Sequence, residues 1–214
     1  YHLYYRALNE AFTYAKEYGK SLGRDIKCFV PTHSLINYTQ WKIVSPEASL
    51  ASLPCVDGYI AQVWTGTSRV LNYYKGVCKE RVFETAFLEY GCMSSMTEPT
   101  GRRVWFLTDP IEDSPRDWND FKRNYQATFT AQLLYPQIAD YEVMPWPARI
   151  YEGLYPVSPG SSEKVRIQED FASMMQVMIN ALQKMPLAER TTPGISVLMA
   201  NSMMFQAFPS HSGY

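Results

Sequence analysis

The chain has 214 residues and a formal net charge of -1, a length that suits one domain with a sizeable core or part of a larger one. The balanced charge argues against a nucleic-acid surface, which would need a basic excess. No apolar run approaches the ~20 residues that span a membrane.

Aromatic residues make up 14% of the chain, with sixteen Tyr, ten Phe and five Trp. Rings with a polar handle suit both a core and a site that stacks a hydroxylated ligand. The start, Tyr1-His-Leu-Tyr-Tyr5, opens directly into a helical pattern without an initiator Met, a signal peptide or a transit peptide. The expectation is a segment of a longer protein. Cys28, Cys55, Cys78 and Cys92 form no CxxC pair and have no His at ligand spacing. They read as buried free thiols rather than a disulfide or zinc set, and no metal or cofactor is expected. The lack of a disulfide pattern leans toward the cytoplasm.

Residues 2–18 place Leu3, Leu8, Ala11, Phe12, Ala15 and Tyr18 at three- and four-residue spacings, which predicts an amphipathic helix ended by Gly19 and Gly23. Ile26–Val30 reads as a strand halted at Pro31, releasing Thr32, His33 and Ser34. A weak helical pattern runs from Thr39 to Leu53. Asp57–Gly66 reads as the next strand, releasing Trp64, Thr65, Thr67, Ser68 and Arg69. Residues 70–81 are polar and read as a long loop. Phe83–Met96 reads as a helix with Phe83, Phe87, Leu88 and Gly91 on its apolar stripe.

Gly101 turns the chain into the apolar run Val104–Leu107, bounded by Pro110, which is how a short buried strand reads. It releases Thr108, Asp109, Glu112 and Asp113. Asp117 or Asn119 can cap the next helix, whose apolar positions are Phe121, Tyr125, Phe129 and Leu133. Tyr141–Trp146 reads as a fourth strand, releasing Trp146, Arg149 and Tyr151. Pro156–Ser162 has the composition of a linker or lid. A helix with the stripe Ile167, Phe171, Met174, Met175, Met178, Leu182 and Met185 follows, and Gly194–Ala200 starts a new strand.

Strand and helix thus alternate every ~35–45 residues, as expected of βα units with decorated loops. Acidic residues at the C-terminal ends of buried strands are where an α/β barrel keeps its chemistry. A whole (β/α)8 TIM-barrel needs ~250 residues. Four units predict half a barrel over residues 1–190, with a following domain beginning at 191.

The segments Gly58–Arg69 (GYIAQVWTGTSR), Phe83–Gly91 (FETAFLEYG), Val104–Asp113 (VWFLTDPIED) and Tyr141–Arg149 (YEVMPWPAR) together resemble a bacterial group of TIM-barrel glycosyl hydrolases known mostly from sequence. The resemblance covers roughly residues 1–185 and implies the C-terminal half of the barrel. Beyond Thr192 the chain resembles the start of the flavodoxin-like domain that follows the barrel in some β-galactosidases. If the strands are the fifth to eighth, Thr108–Asp113 follows the seventh, where retaining β-glycosidases carry their nucleophile. Here the strand ends on Asp109 instead of the family's Glu, and the fourth strand, which would carry the acid/base, is absent.

Each candidate has a plainer reading. Asp109-Pro110 is equally a turn starter, and Glu112 and Asp113 suit a helix N-terminus. Glycoside hydrolysis needs two carboxyls, ~5–5.5 Å apart for retention and ~6.5–9.5 Å for inversion. Asp109 and Glu112 are the catalytic candidates, and His33, Trp64, Arg69, Trp146 and Arg149 the substrate-binding ones. Glu84 and Glu89 read as structural. The expected partner is a carbohydrate substrate, with no nucleic acid and no membrane, and the following domain is the expected place for a homo-oligomer contact. Two other readings stand beside glycosidase: a glycan-binding barrel without catalysis, and an unrelated barrel enzyme. Against the latter, the chain has no His pair at metal-site spacing and no Gly-rich phosphate loop after a strand.

Overall fold

The computed structural model describes residues 1–33, 35, 46–64, 71–108, 116–138, 140–142, 147–185, 194–195 and 198. It is mixed α/β, with a parallel four-stranded sheet and helices. Helix α1 (His2–Ser21) leads to β1 (Phe29–Thr32), the single-turn helix α2 (Glu47–Leu50) and β2 (Gly58–Val63). A hairpin, β3 (Asn72–Tyr74) and β4 (Val77–Lys79), precedes helix α3 (Val82–Thr97). Strand β5 (Arg103–Thr108), helix α4 (Trp118–Gln132), β6 (Tyr141–Glu142) and the short helix α5 (Pro147–Tyr151) come next. A second hairpin, β7 (Tyr155–Pro156) and β8 (Lys164–Val165), is followed by helix α6 (Glu169–Lys184).

The sheet runs β1-β2-β5-β6. Phe29 lies opposite Gly58 and Thr32 opposite Ala61 in the parallel β1–β2 pair. Phe106 lies opposite Tyr141 and Leu107 opposite Glu142 in the parallel β5–β6 pair. Gly58 is required where it stands, since a Cβ there would collide with the carbonyl of Arg103. The chain divides into two compact units, Tyr1–Ala61 with Cys92–Val104, and Gln62–Gly91 with Trp105–Ala188.

In the first unit, Asp57 is the organising polar residue. Its carboxylate accepts from the Cys28 N–H at 2.7 Å and pairs with Lys16 of α1 at 2.7 Å, while its own N–H donates to the Cys28 carbonyl at 2.9 Å. Leu50, Val56, Tyr59 and Ala61 of the same unit are buried. Arg102 donates to the carbonyls of Ala51 and Leu53, both at 2.9 Å, satisfying backbone acceptors after α2.

The core of the second unit is aromatic. Trp118, Phe121, Tyr125 and Phe129 of α4 meet Phe171, Met175 and Leu182 of α6, with Ile150 among them. Helix α4 starts where Asp117 accepts the Asp120 N–H at 2.8 Å, the capping the sequence indicates. Trp118 donates its indole N–H to the Val165 carbonyl at 2.6 Å, tying the β7–β8 hairpin to that core.

Several expectations are corrected. The first strand does not stop at Pro31 but runs through it to Thr32: among the described residues β1 ends the sheet order, where a proline's missing N–H costs no ladder bond. The polar stretch 70–81 is not a loop: it contains the β3–β4 hairpin, turned by Lys75 at φ 48° and Gly76 at φ 78°. Pro156–Ser162 is no linker, since Tyr155 and Pro156 pair with Val165 and Lys164 across it. On α3 the buried stripe is Val82, Ala86, Tyr90 and Met93, and Phe83, Phe87 and Leu88 are exposed. On α1 Leu3, Ala11 and Tyr18 are exposed as well. Cys28 and Cys55 are buried free thiols, but Cys78 is exposed on β4. The predicted strand 194–200 falls mostly outside the described residues.

Candidate functional site

The first strand end combines a hydroxyl and a carboxylate. Thr32, the last residue of β1, donates to Glu47 Oε1 at 2.9 Å, and Glu47 is only 2% exposed. The Tyr59 hydroxyl, from the adjacent strand, donates to the Glu47 carbonyl at 2.7 Å and so fixes α2 over this end of the sheet. His33 follows Thr32 and is half-buried, and burial lowers its pKa, favouring the neutral imidazole. Glu47 is not among the residues singled out from sequence. The available signal is Pro46-Glu47, a proline just before the first helical residue and an acid in the first turn.

After β2, Trp64 is half-buried. Arg69 lies outside the described residues.

The end of β5 is held by a wholly buried polar trio. The Thr108 hydroxyl is 3.0 Å from the Tyr90 hydroxyl and donates to Gln132 Oε1 at 3.1 Å. Tyr90 also reaches Gln132 Oε1 at 3.4 Å. Thr108 is 1% exposed, and Tyr90 and Gln132 are fully buried. Burial pushes the Tyr90 phenol well above its ordinary pKa, so it stays a neutral donor despite its bond to Thr108. Gln132 Nε2 is buried and has no hydrogen-bond partner among the described residues. Asp109, Glu112 and Asp113 lie outside the described residues.

After β6, Trp146 also lies outside the described residues. Arg149 is not released directly by a strand but sits on α5, half-buried. On α3, Glu84 faces the preceding hairpin, with Lys79 at 3.0 Å and Arg81 at 3.3 Å. Partial burial would raise its carboxyl, but backbone and Lys79 hydrogen bonds and the two cations outweigh this and lower it. That makes Glu84 a committed anion rather than a proton donor. Glu89 is buried on the same helix.

Of the residues singled out from sequence, the structure describes His33 in the first unit and Trp64 and Arg149 in the second. What it brings together are two trios, of which sequence pointed only to the strand-end residues Thr32 and Thr108: Thr32, Glu47 and Tyr59 in the first unit, and Tyr90, Thr108 and Gln132 in the second. Their partners come from elements distant in sequence, which periodicity does not connect. Among the described residues, no group of three or more His, Cys, Asp and Glu is placed to hold a metal ion, and no helix is long and apolar enough to cross a membrane. No family model, curated protein or solved structure matches the chain.

Proposed function

We propose that this chain supplies the last four βα units of a (β/α)8 barrel glycoside hydrolase, followed from residue 191 by the start of a flavodoxin-like domain. The observation that carries the reading is the strand order. A doubly wound sheet reverses its order at a switch point, where its ligand binds. Here the parallel sheet runs β1-β2-β5-β6 in chain order, with the two hairpins set apart from it. Unidirectional progression is how a barrel is built, and barrel enzymes act at the C-terminal strand ends.

In this reading Asp109, directly after Thr108, is a catalytic carboxylate, and Glu112 is its partner or a substrate ligand. An ionised carboxylate stabilises the oxocarbenium-like transition state, while a protonated one delivers its proton to the leaving oxygen. Trp64 and Trp146 supply ring faces for a sugar. Arg69 and Arg149 supply fixed donors for its hydroxyls or a carboxylate.

The test is a panel of nitrophenyl glycosides, α and β, offered to the intact protein. Release of nitrophenol from one sugar class above the rate of an Asp109→Asn control supports the reading. Glycan binding without turnover would move it to a non-catalytic barrel, and neither binding nor turnover across the panel would overturn it.

A further inference from the structure

Helix α1 is apolar on two sides, and its own unit covers only one of them. Leu8, Phe12 and Ala15 are half-buried on the side where Lys16 pairs with Asp57 at 2.7 Å and Asn9 meets Cys55. A surface helix normally turns a polar face outward. Here the outward stripe is Leu3, Tyr4, Ala7, Ala11, Tyr14 and Tyr18, and all six are exposed. From Tyr4 to Tyr18 it steps by three and four residues in alternation, so these side chains share one line at 3.6 residues per turn. The Tyr14 and Tyr18 rings lie parallel with centroids 6.0 Å apart, forming one ordered surface.

The sizes along this line are symmetric, with rings at both ends and alanines in the middle. Helices that cross come closest at the crossing and diverge beyond it, so small residues belong at the centre and large ones outside. An antiparallel copy of α1, related by a two-fold axis between Ala7 and Ala11, meets both demands. Ala7 of each copy then lies against Ala11 of the other, and Tyr4 against Tyr14. The same operation brings the exposed Arg6 beside the exposed Glu10 of the other copy, and does so twice. A parallel pair would instead set Arg6 beside Arg6 and Glu10 beside Glu10. A large ring buries about 150–250 Å² when fully covered, so closing these partly exposed side chains on two copies removes on the order of 800 Å² from water. That is the low end for specific association and belongs to a concentration-dependent dimer. The tyrosine hydroxyls keep the stripe tolerable in water when the copies separate.

We propose that the chain self-associates through this stripe of α1, as an antiparallel two-fold helix pair with a second copy. Nothing in the pairing depends on the glycoside hydrolase reading, and one helix of the first unit makes the whole surface.

Sedimentation equilibrium of the intact protein tests it. The expected result is a monomer–dimer equilibrium with Kd on the order of 10–500 µM. Ala11→Arg puts a long charged side chain at the crossing and should raise Kd by about 10-fold or more. Arg6→Glu sets acid against acid at both symmetric places and should weaken the dimer by about threefold or more. Combining it with Glu10→Arg reverses the pair and should restore the wild-type Kd to within about twofold. All three positions are exposed, and circular dichroism verifies that the variants fold. If Ala11→Arg does not fold, the charge reversal decides alone. A protein that stays monomeric throughout that range overturns the proposal, as does a dimer that folded Ala11→Arg or Arg6→Glu leaves intact. A loss with Arg6→Glu that the reversed pair fails to restore overturns the antiparallel register, and the proposal with it.

Discussion

Helices α1 and α6 carry the same kind of apolar spacing and end in opposite circumstances. Along α6, Phe171, Met175 and Leu182 are buried against the rings of α4. Along α1 the only buried residue is Gly19, while Leu3 is 81% exposed and Tyr4, Tyr14 and Tyr18 are exposed too. The half-buried positions of α1 run Tyr5, Leu8, Asn9, Phe12, Thr13, Ala15 and Lys16, a stripe that mixes apolar with polar side chains. Periodicity states which residues share a face. Whether the face is covered depends on what the rest of the chain offers: α4 offers α6 a matching row of rings, and α1 is held at the Lys16–Asp57 ion pair and where Cys55 meets Asn9.

The widest separation between the two helices should appear in core truncation. Phe171→Ala removes a ring that touches Trp118 and Tyr125, and should cost about 3–5 kcal/mol. Leu3→Ala on α1 should stay within about 0.5 kcal/mol. Urea unfolding of both variants checks this, and equal losses would break the comparison.

A smaller effect should follow from the polar anchor of α1. Asp57→Asn removes the charge that faces Lys16 and weakens the acceptor of the Cys28 N–H, for about 1 kcal/mol in a partly solvated pair. Burial alone would raise the Asp57 carboxyl, but the Lys16 ammonium and the Cys28 N–H outweigh it and hold the pKa below the ordinary carboxylate range. A folded pKa below the unfolded value of about 3.9 means the contribution is fully present above that pH and is lost as pH falls through the folded value. The stability gap between wild type and Asp57→Asn should therefore close on acidification below about pH 4. A gap that widens there would contradict the assignment.

The smallest effect has the opposite sign. Lys75 takes the left-handed conformation at φ 48° in the β3–β4 turn, next to Gly76 at φ 78°. Lys75→Asn supplies a residue that accepts that geometry, and should stabilise by about 0.5 kcal/mol, measured as a small rise in Tm. Loss of stability instead would mean that the Lys75 ammonium over the Tyr74 ring outweighs the turn preference.

The same contrast explains what could be read from the chain before its fold. Strand β5 was legible because Val104 and Phe106 are apolar and buried between turn signals, and α4 because Asp117 caps a four-residue repeat of rings. The α6 stripe was legible for the same reason. The β3–β4 hairpin was hidden because it buries no face: Tyr73, Tyr74 and Val77 are exposed, so no alternation marks the strands and only Lys75-Gly76 marks the turn. On α3, ring size misled: Phe83 and Phe87 stack on each other at the surface, while Tyr90 goes inside because Thr108 and Gln132 satisfy its hydroxyl. Glu47 and Gln132 could not be found by pattern. Each is a polar residue made tolerable in the interior by partners that only the fold brings near. Asp109 and Glu112 stand out in the sequence because they come soon after the apolar run Val104–Leu107, and both lie outside the described residues.

The central claim is that the acid following β5 performs glycoside chemistry, and kcat of Asp109→Asn in the intact protein tests it most directly. With folding verified by circular dichroism, the account predicts a loss on the order of 10²-fold or more, as when other electrostatic stabilisers of a transition state are removed. A folded Asp109→Asn that hydrolyses its glycoside at the wild-type rate would make Asp109 a turn residue beside Pro110 and contradict the claim.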